Sequence, residues 1–255
     1  MGGVNQIATA GFGAASEAYE RGRPSYPRAV VDIVCTQLGL TRESVVLDLA
    51  AGTGKFTELL VARDLRVVAV EPVDEMRARL IERLPSTDVR AGSAERIPFG
   101  DASVDAVTVA QAFHWFDTTR AVAEIARVLR PGGGVALVWN RRLLDAPVQK
   151  VIEAIVAPHR GDTPSHRTSS WRETFAATGS FDDFTSCEIP HSQMSDRDGL
   201  VDRVLSTSFI AALAPADRAT VAREVCDAID RLGLGEQIVV PYHTEVHTAR
   251  KSARA

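Results

Sequence analysis

The chain has 255 residues, 45% apolar and 24% charged, with a formal net charge of −4. That length allows one large α/β domain or a domain with an added lobe, with enough chain to bury a sizeable core. The acidic balance gives no sign of the basic stripe of a nucleic-acid footprint, and no run approaches the ~20 apolar residues of a membrane span. Cys35, Cys187 and Cys226 are odd in number and lack C-x-x-C spacing, so neither a zinc site nor a disulfide framework is expected. Met1-Gly2-Gly3-Val4-Asn5-Gln6 lacks the basic-then-apolar pattern of a secretory signal, and a cytoplasmic location is the expectation.

Residues 1–27 have little periodicity but carry Phe12, Tyr19, Arg21, Arg23 and Tyr26, with Pro24 and Pro27 enforcing extended or turn backbone. They read as an N-terminal strap packed on the domain surface or as a lid over a ligand site. Residues 28–255 read as a single domain. A helix is predicted over 28–39, where Ala29, Val30, Ile33, Val34 and Leu38 recur at helical spacing and Gly39 suits the stop. Strands are predicted at Val45–Leu49, Arg66–Glu71, Asp88–Ala91, Val104–Ala110 and Val135–Trp139, with helices Lys55–Arg63, Asp74–Leu84 and Thr118–Leu129 between them. Pro131-Gly132-Gly133-Gly134 is expected to end the last of these helices. Alternating strands and helices, with strands apolar on both faces, indicate a mostly parallel sheet covered on both sides. Ligands in such sheets bind beyond the carboxyl ends of the strands, where strand order reverses. The stretches after Leu49, Val70, Gly92 and Ala110 should therefore converge.

Beyond residue 140 the pattern loosens. Helices are predicted at Val148–Ala157, 170–178, 196–213 and 216–232, with a sixth strand at Phe184–Ile189 and a seventh at Gln237–Thr248. The helical insertions around 147–180 and 196–232 exceed a minimal crossover and are expected to form a small cap near the site.

The chain's chemistry centres on residues 45–57, where an apolar run ends in Asp48 and passes through Ala50, Ala51, Gly52 and Gly54 into a helix. Small side chains there let a ligand lie against the main chain, and the next helix turns its first N–H groups toward the same crevice. Three ligands compete for such a turn. A P-loop has G-x-x-x-x-G-K-[ST], but Leu49 stands at the first glycine and Phe56 at the hydroxyl. A dinucleotide turn has G-x-G-x-x-G, but Thr57 stands at the third glycine. The third pattern, Asp48-x-Ala50-x-Gly52-x-Gly54, resembles the glycine-rich motif of class I S-adenosylmethionine-dependent methyltransferases. Gly92-Ser93-Ala94-Glu95-Arg96-Ile97-Pro98-Phe99, followed by Ser103-Val104-Asp105, and Pro131-Gly132-Gly133 resemble further motifs of that family in the same order.

The resemblance implies a Rossmann-like α/β methyltransferase fold, with a seven-stranded, mostly parallel sheet, and S-adenosyl-L-methionine as cofactor. It puts Asp48 near the cofactor's ammonium and Ala50, Gly52 and Gly54 around its amino-acid tail. Glu71, 17 residues after Gly54 and followed by Pro72, would accept the ribose hydroxyls. Ser93, Ala94 and Glu95 would line the adenine, and Gln111 would stand in the loop facing the sulfonium. Tyr19-Glu20-Arg21-Gly22-Arg23-Pro24-Ser25-Tyr26-Pro27, together with Gln111-Ala112-Phe113-His114-Trp115-Phe116, resembles the type-11 subgroup that includes trans-aconitate and fatty-acid carboxyl methyltransferases. On that basis Tyr19, Arg23, Tyr26, His114 and Trp115 are candidates for contact with a small-molecule acceptor. A carboxylate acceptor is ionised at pH 7 and needs only orientation, whereas a hydroxyl needs a base, for which His114 is the candidate. The expected reaction is methyl transfer to a carboxylate or hydroxyl oxygen. The alternatives are N- or C-methylation of a small metabolite, or a module that holds the cofactor without turnover. The remaining histidines have no mutual spacing that makes a metal site, and oligomeric state is not legible.

Overall fold

The structure is a computed structural model describing residues 22–163 and 170–252. Tyr19, Arg21 and His166, and with them most of the strap or lid, lie outside the described residues. Seven strands form one sheet in the order β3-β2-β1-β4-β5-β7-β6. They are β1 Val45–Leu49, β2 Arg66–Val70, β3 Asp88–Arg90, β4 Val104–Ala110, β5 Leu129–Arg142, β6 Thr185–Ser195 and β7 Ile238–Arg250. The first five are parallel, and β7 runs antiparallel between β5 and β6.

Side-chain alternation along β1 decides which helices cover which face. Val46 points to the side packed by α1 (Ala29–Leu38) and α2 (Lys55–Val61), through Val30, Val34, Leu38, Phe56 and Leu60. Leu47 and Leu49 point to the other side, toward α4 (Thr118–Val128) and α6 (Trp171–Thr178), through Val122, Ile125 and Phe175. α3 (Asp74–Arg83) follows β2. A third core is separate. It joins α5 (Pro147–Val156), α7 (Arg197–Leu205), α8 (Ser208–Ala211) and α9 (Pro215–Arg231) to the first residues of β7, Ile238, Val240 and Tyr242. Of the helices in the insertions around 147–180 and 196–232, α5, α7, α8 and α9 build this core, whereas α6 packs on the sheet instead.

The structure departs from the sequence expectations mainly at element ends. Pro131–Gly134 does not separate helix from strand. β5 begins at Leu129, directly after α4, and takes in the glycines through a register shift opposite Val104 and Ala106. Gly133 and Gly134 fit there because a Cβ would fall 2.7 Å from the carbonyl oxygens of Asp105 and Ala249 respectively. The helix expected over 196–213 breaks at Thr207, whose backbone is extended (ψ 129°), into α7 and α8. Pro215 is the first residue of α9 rather than a separator, because its missing N–H is one that a first helical turn leaves unbonded in any case. β6 runs on to Ser195 through Pro190, which an outermost strand tolerates.

Candidate functional site

The connections leave β1 on one side toward β2 and, after β3, return on the other side at β4. The sheet's switch point therefore lies between β1 and β4. A cavity opens at this edge. Its floor is the turn after β1, with Asp48, Ala50, Ala51, Gly52, Thr53 and Lys55, and it is flanked by Glu71 and Pro72 after β2, Ser93–Glu95 after β3, and Gln111 and Trp115 after β4. The turn is closed by Ala51 N–H to the Val70 carbonyl (3.1 Å) and Gly54 N–H to the Ala51 carbonyl (3.0 Å). Ala50 (φ +56°) and Gln111 (φ +60°), the residues just beyond β1 and β4, both hold left-handed backbone. Such conformations cost about 1–3 kcal/mol outside glycine and concentrate at ligand sites.

Two buried carboxylates define the floor. Asp48 is 1% exposed, on the same side of the sheet as its register partner Thr108. Its Oδ2 accepts from the Thr57 hydroxyl at 2.6 Å and its Oδ1 from the Thr108 hydroxyl at 2.9 Å. Burial raises its pKa to about 6, against the two hydroxyls that lower it. Glu71 is 3% exposed. Its Oε2 accepts from the Gly52 N–H (2.8 Å) and its Oε1 from the Val73 N–H (2.9 Å). Burial raises it likewise to about 6, while the two backbone donors and Arg77 pull it down. A carboxylate offers about four acceptor positions, so each of these acids can still receive further donors from a ligand. Two desolvated acids side by side suit a ligand that brings a cation and hydroxyl groups.

The strap residues that the structure describes form another part of the wall. Lys55 Nζ donates to the Arg23 carbonyl at 2.6 Å. Arg23 Nη2 donates to the Ser206 carbonyl (2.9 Å), Asn140 Nδ2 to the Ser25 carbonyl (2.9 Å) and Gln193 Nε2 to the Gly22 carbonyl (3.3 Å). Gly22 lies so close to α7 that a Cβ would sit 2.5 Å from the Arg203 nitrogen. Tyr26 packs edge-on against Phe56, ring centroids 5.1 Å apart. Arg23, Pro24 and Tyr26 thus become cavity wall, along with Arg203 from α7.

Of the residues singled out from sequence, Asp48, Ala50, Gly52, Glu71, Pro72, Ser93, Ala94, Glu95, Gln111, Arg23, Tyr26 and Trp115 line this one cavity. Gly54 and His114 do not appear among its lining residues. Gly54 (φ +85°) turns the chain into α2, and its missing side chain makes room for Leu80, whose Cγ would be 3.0 Å from a Cβ there. His114 is the middle residue of a 3-10 turn, Phe113–Trp115. With three residues per turn, neighbouring side chains diverge. Phe113 enters the core at 0% exposure, Trp115 lines the cavity, and the His114 ring packs beside Trp115 at 5.0 Å. Thr57, Thr108, Lys55 and Arg203 were not found from sequence. The signal for Thr57 is a hydroxyl nine positions after Asp48, at the place where a dinucleotide turn has its third glycine. Among the described residues no group of three or more His, Cys, Asp or Glu could hold a metal, and no helix is long and apolar enough to cross a membrane.

Residues 47–137 match the model of a methyltransferase domain. The chain is 36% identical over 237 residues to an uncharacterized methyltransferase-like protein of Schizosaccharomyces pombe, covering 91% of this chain and 92% of that one. It is 56% identical over 131 residues to an uncharacterized methyltransferase of Mycobacterium bovis, covering 51% of this chain and 52% of that relative. The structure of the YcgJ protein from Bacillus subtilis superposes with a TM-score of 0.57 at 21% identity, over 88% of this chain and 99% of that one. That last likeness concerns the fold.

Proposed function

Since the chain belongs to the S-adenosylmethionine-dependent methyltransferases, we propose that it methylates an oxygen of a small-molecule acceptor, a carboxylate ahead of a hydroxyl. The observation that carries this reading is one cavity with two characters. Two buried acids line it together with cationic and aromatic side chains. The acids and small residues fit the cofactor. Asp48 would face its ammonium, Glu71 its ribose hydroxyls, Gly52 and Ala50 would let its amino-acid tail approach the main chain, and Ser93, Ala94 and Glu95 would flank the adenine. Bound there, S-adenosylmethionine supplies an electrophilic methyl group on a sulfonium.

The chain's remaining task is alignment and exclusion of water. Tyr26, Phe56, Trp115 and Phe116 would wall the acceptor with ring carbons, and Arg23 would orient an anionic end. A carboxylate oxygen attacks already ionised. A C–O bond replaces the C–S bond, one positive and one negative charge cancel, and no proton has to leave. A hydroxyl acceptor would instead have to lose a proton, and among the described residues the cavity lining includes no histidine to take it.

The test is a screen of acidic and hydroxylated metabolites for release of demethylated cofactor, with the methylated atom of any product identified by NMR. An ester or ether product supports the reading. Methyl transfer to nitrogen or carbon, or no turnover across all classes, refutes it.

A further inference from the structure

Gln111, the residue just past β4, is held to β5 by both of its amides. Its N–H donates to the Val138 carbonyl (2.8 Å) and its side-chain Nε2 to the Asn140 carbonyl (3.2 Å). The receiving strand is itself fixed there. Asn140 is buried, its Oδ1 accepts from the Thr244 hydroxyl of β7 at 2.6 Å, and its Nδ2 donates to the Ser25 carbonyl at 2.9 Å. These bonds hold Gln111 in left-handed backbone (φ +60°), a conformation that persists outside glycine only where the surroundings impose it. They also orient the side-chain amide. The Asn140 carbonyl must meet the NH2 end, which leaves Oε1 for the cavity that Gln111 lines. Among the described residues no group donates to Oε1.

An oriented carbonyl oxygen takes a hydrogen-bond donor or a positive charge. In the reading above, Asp48 takes the cofactor's ammonium and Glu71 its ribose hydroxyls. The sulfonium lies between those groups in the cofactor's covalent chain, and it carries a positive charge with no N–H or O–H to donate. Oxygen dipoles stabilise such a cation, directly and through weak bonds from the C–H groups that its charge polarises. Gln111 is placed for this, since β4 is the neighbour of β1 and Asp48 pairs in register with Thr108, three residues before Gln111. A neutral amide also suits the reaction better than a carboxylate would. The sulfonium's charge disappears as the methyl leaves, so a full negative charge beside it would stabilise the reactant more than the transition state.

We propose that Gln111 Oε1 is the group by which the cavity tells the charged cofactor from its neutral demethylated product. Transfer removes the charge that this oxygen holds, which loosens the product relative to the cofactor that replaces it. This rests on the cofactor of the reading above and not on which acceptor atom is methylated.

The experiment is calorimetric titration of the full chain with S-adenosylmethionine, S-adenosylhomocysteine and sinefungin, in which a protonated amine stands in place of the methylated sulfur. Gln111→Met keeps the length of the side chain and deletes the oxygen. It should weaken S-adenosylmethionine by about fivefold. Sinefungin, whose amine also donates N–H bonds, should weaken by about tenfold. S-adenosylhomocysteine should change by less than about twofold, which also reports that the variant is folded. Gln111→Gly removes the same oxygen, relieves the left-handed backbone and should show the same pattern. Equal weakening of all three ligands overturns the proposal, by assigning Gln111 to a part of the cofactor common to them, and so does unchanged affinity for all three. A wild type that binds none of them would refute the cofactor reading as well. A product methylated on nitrogen or carbon in the metabolite screen would refute transfer to oxygen and leave these affinity ratios standing, so the two readings fail separately.

Discussion

Thr57→Val is the sharpest probe of the floor of the site. The substitution keeps the branched shape of a fully buried side chain and deletes the hydroxyl that donates to Asp48 Oδ2 at 2.6 Å, leaving Thr108 on the other oxygen. A hydrogen bond to a charged group is worth about 1.5–3 kcal/mol, and about 1.4 kcal/mol moves a pKa by one. Asp48, already raised to about 6 by burial, should therefore rise to about 7.5 in the variant. Only the ionised carboxylate attracts the cofactor's ammonium. The ratio of wild-type to variant affinity for S-adenosylhomocysteine should then be about eightfold at pH 6.5, about fourfold at pH 7 and near one at pH 8.5. Isothermal titration across that range reads the ratio, in which the ligand's own titration cancels. Thr57→Ser should restore wild-type behaviour. A ratio that does not change with pH would mean that the hydroxyl matters only for packing, and no loss at any pH would remove Asp48 from the ammonium's neighbourhood.

Glu71→Ala should weaken S-adenosylhomocysteine binding by about 1–3 kcal/mol, the scale of lost ribose hydrogen bonds; unchanged calorimetric affinity would exclude that role. Asp48→Asn tests the cost of the buried charge in the unliganded protein. An acid whose folded pKa is raised from 3.8 to about 6 binds protons more tightly in the folded state, so stability falls as pH rises through that window. The variant should thus gain on the wild type in urea unfolding from pH 4 to pH 7, by up to about 3 kcal/mol; a pH-independent difference would contradict this. Gly54→Ala should cost about 1–3 kcal/mol from the left-handed backbone, and adding Leu80→Ala should relieve the steric part only. A Gly54→Ala variant as stable as wild type in urea would refute that account.

Much of the fold was legible because the physics is local. Val45–Leu49 and Val104–Ala110 are apolar on both faces, which only a strand covered on both sides accommodates, and small residues after Leu49 permit a turn with positive φ at Ala50 and Gly52. The motif positions Asp48, Glu71 and Ser93–Glu95 converge for the same reason, since each stands at or just past the carboxyl end of one of three neighbouring parallel strands. Local pattern failed where a residue's role depends on what packs against it. Gly54 looks like part of a ligand cradle, but it accommodates Leu80 from another helix. His114 looks like a residue facing the reacting atoms, but the 3-10 turn sends Trp115 to the cavity instead.

What the sequence by itself determined is the part of the cavity set by short-range spacing: strand ends, turn and acids. How strap and cap complete the wall was decided by tertiary structure, although Arg23, Tyr26 and Trp115 were legible as candidates. Arg23 and Arg203 stand 180 residues apart in the chain and meet only because Gly22 has no side chain to hold the strap away from α7. Thr57 and Thr108 become partners of Asp48 only when α2 and β4 pack against β1. Contacts between residues so far apart leave no periodic trace, because no local repeat encodes which surfaces will be brought together.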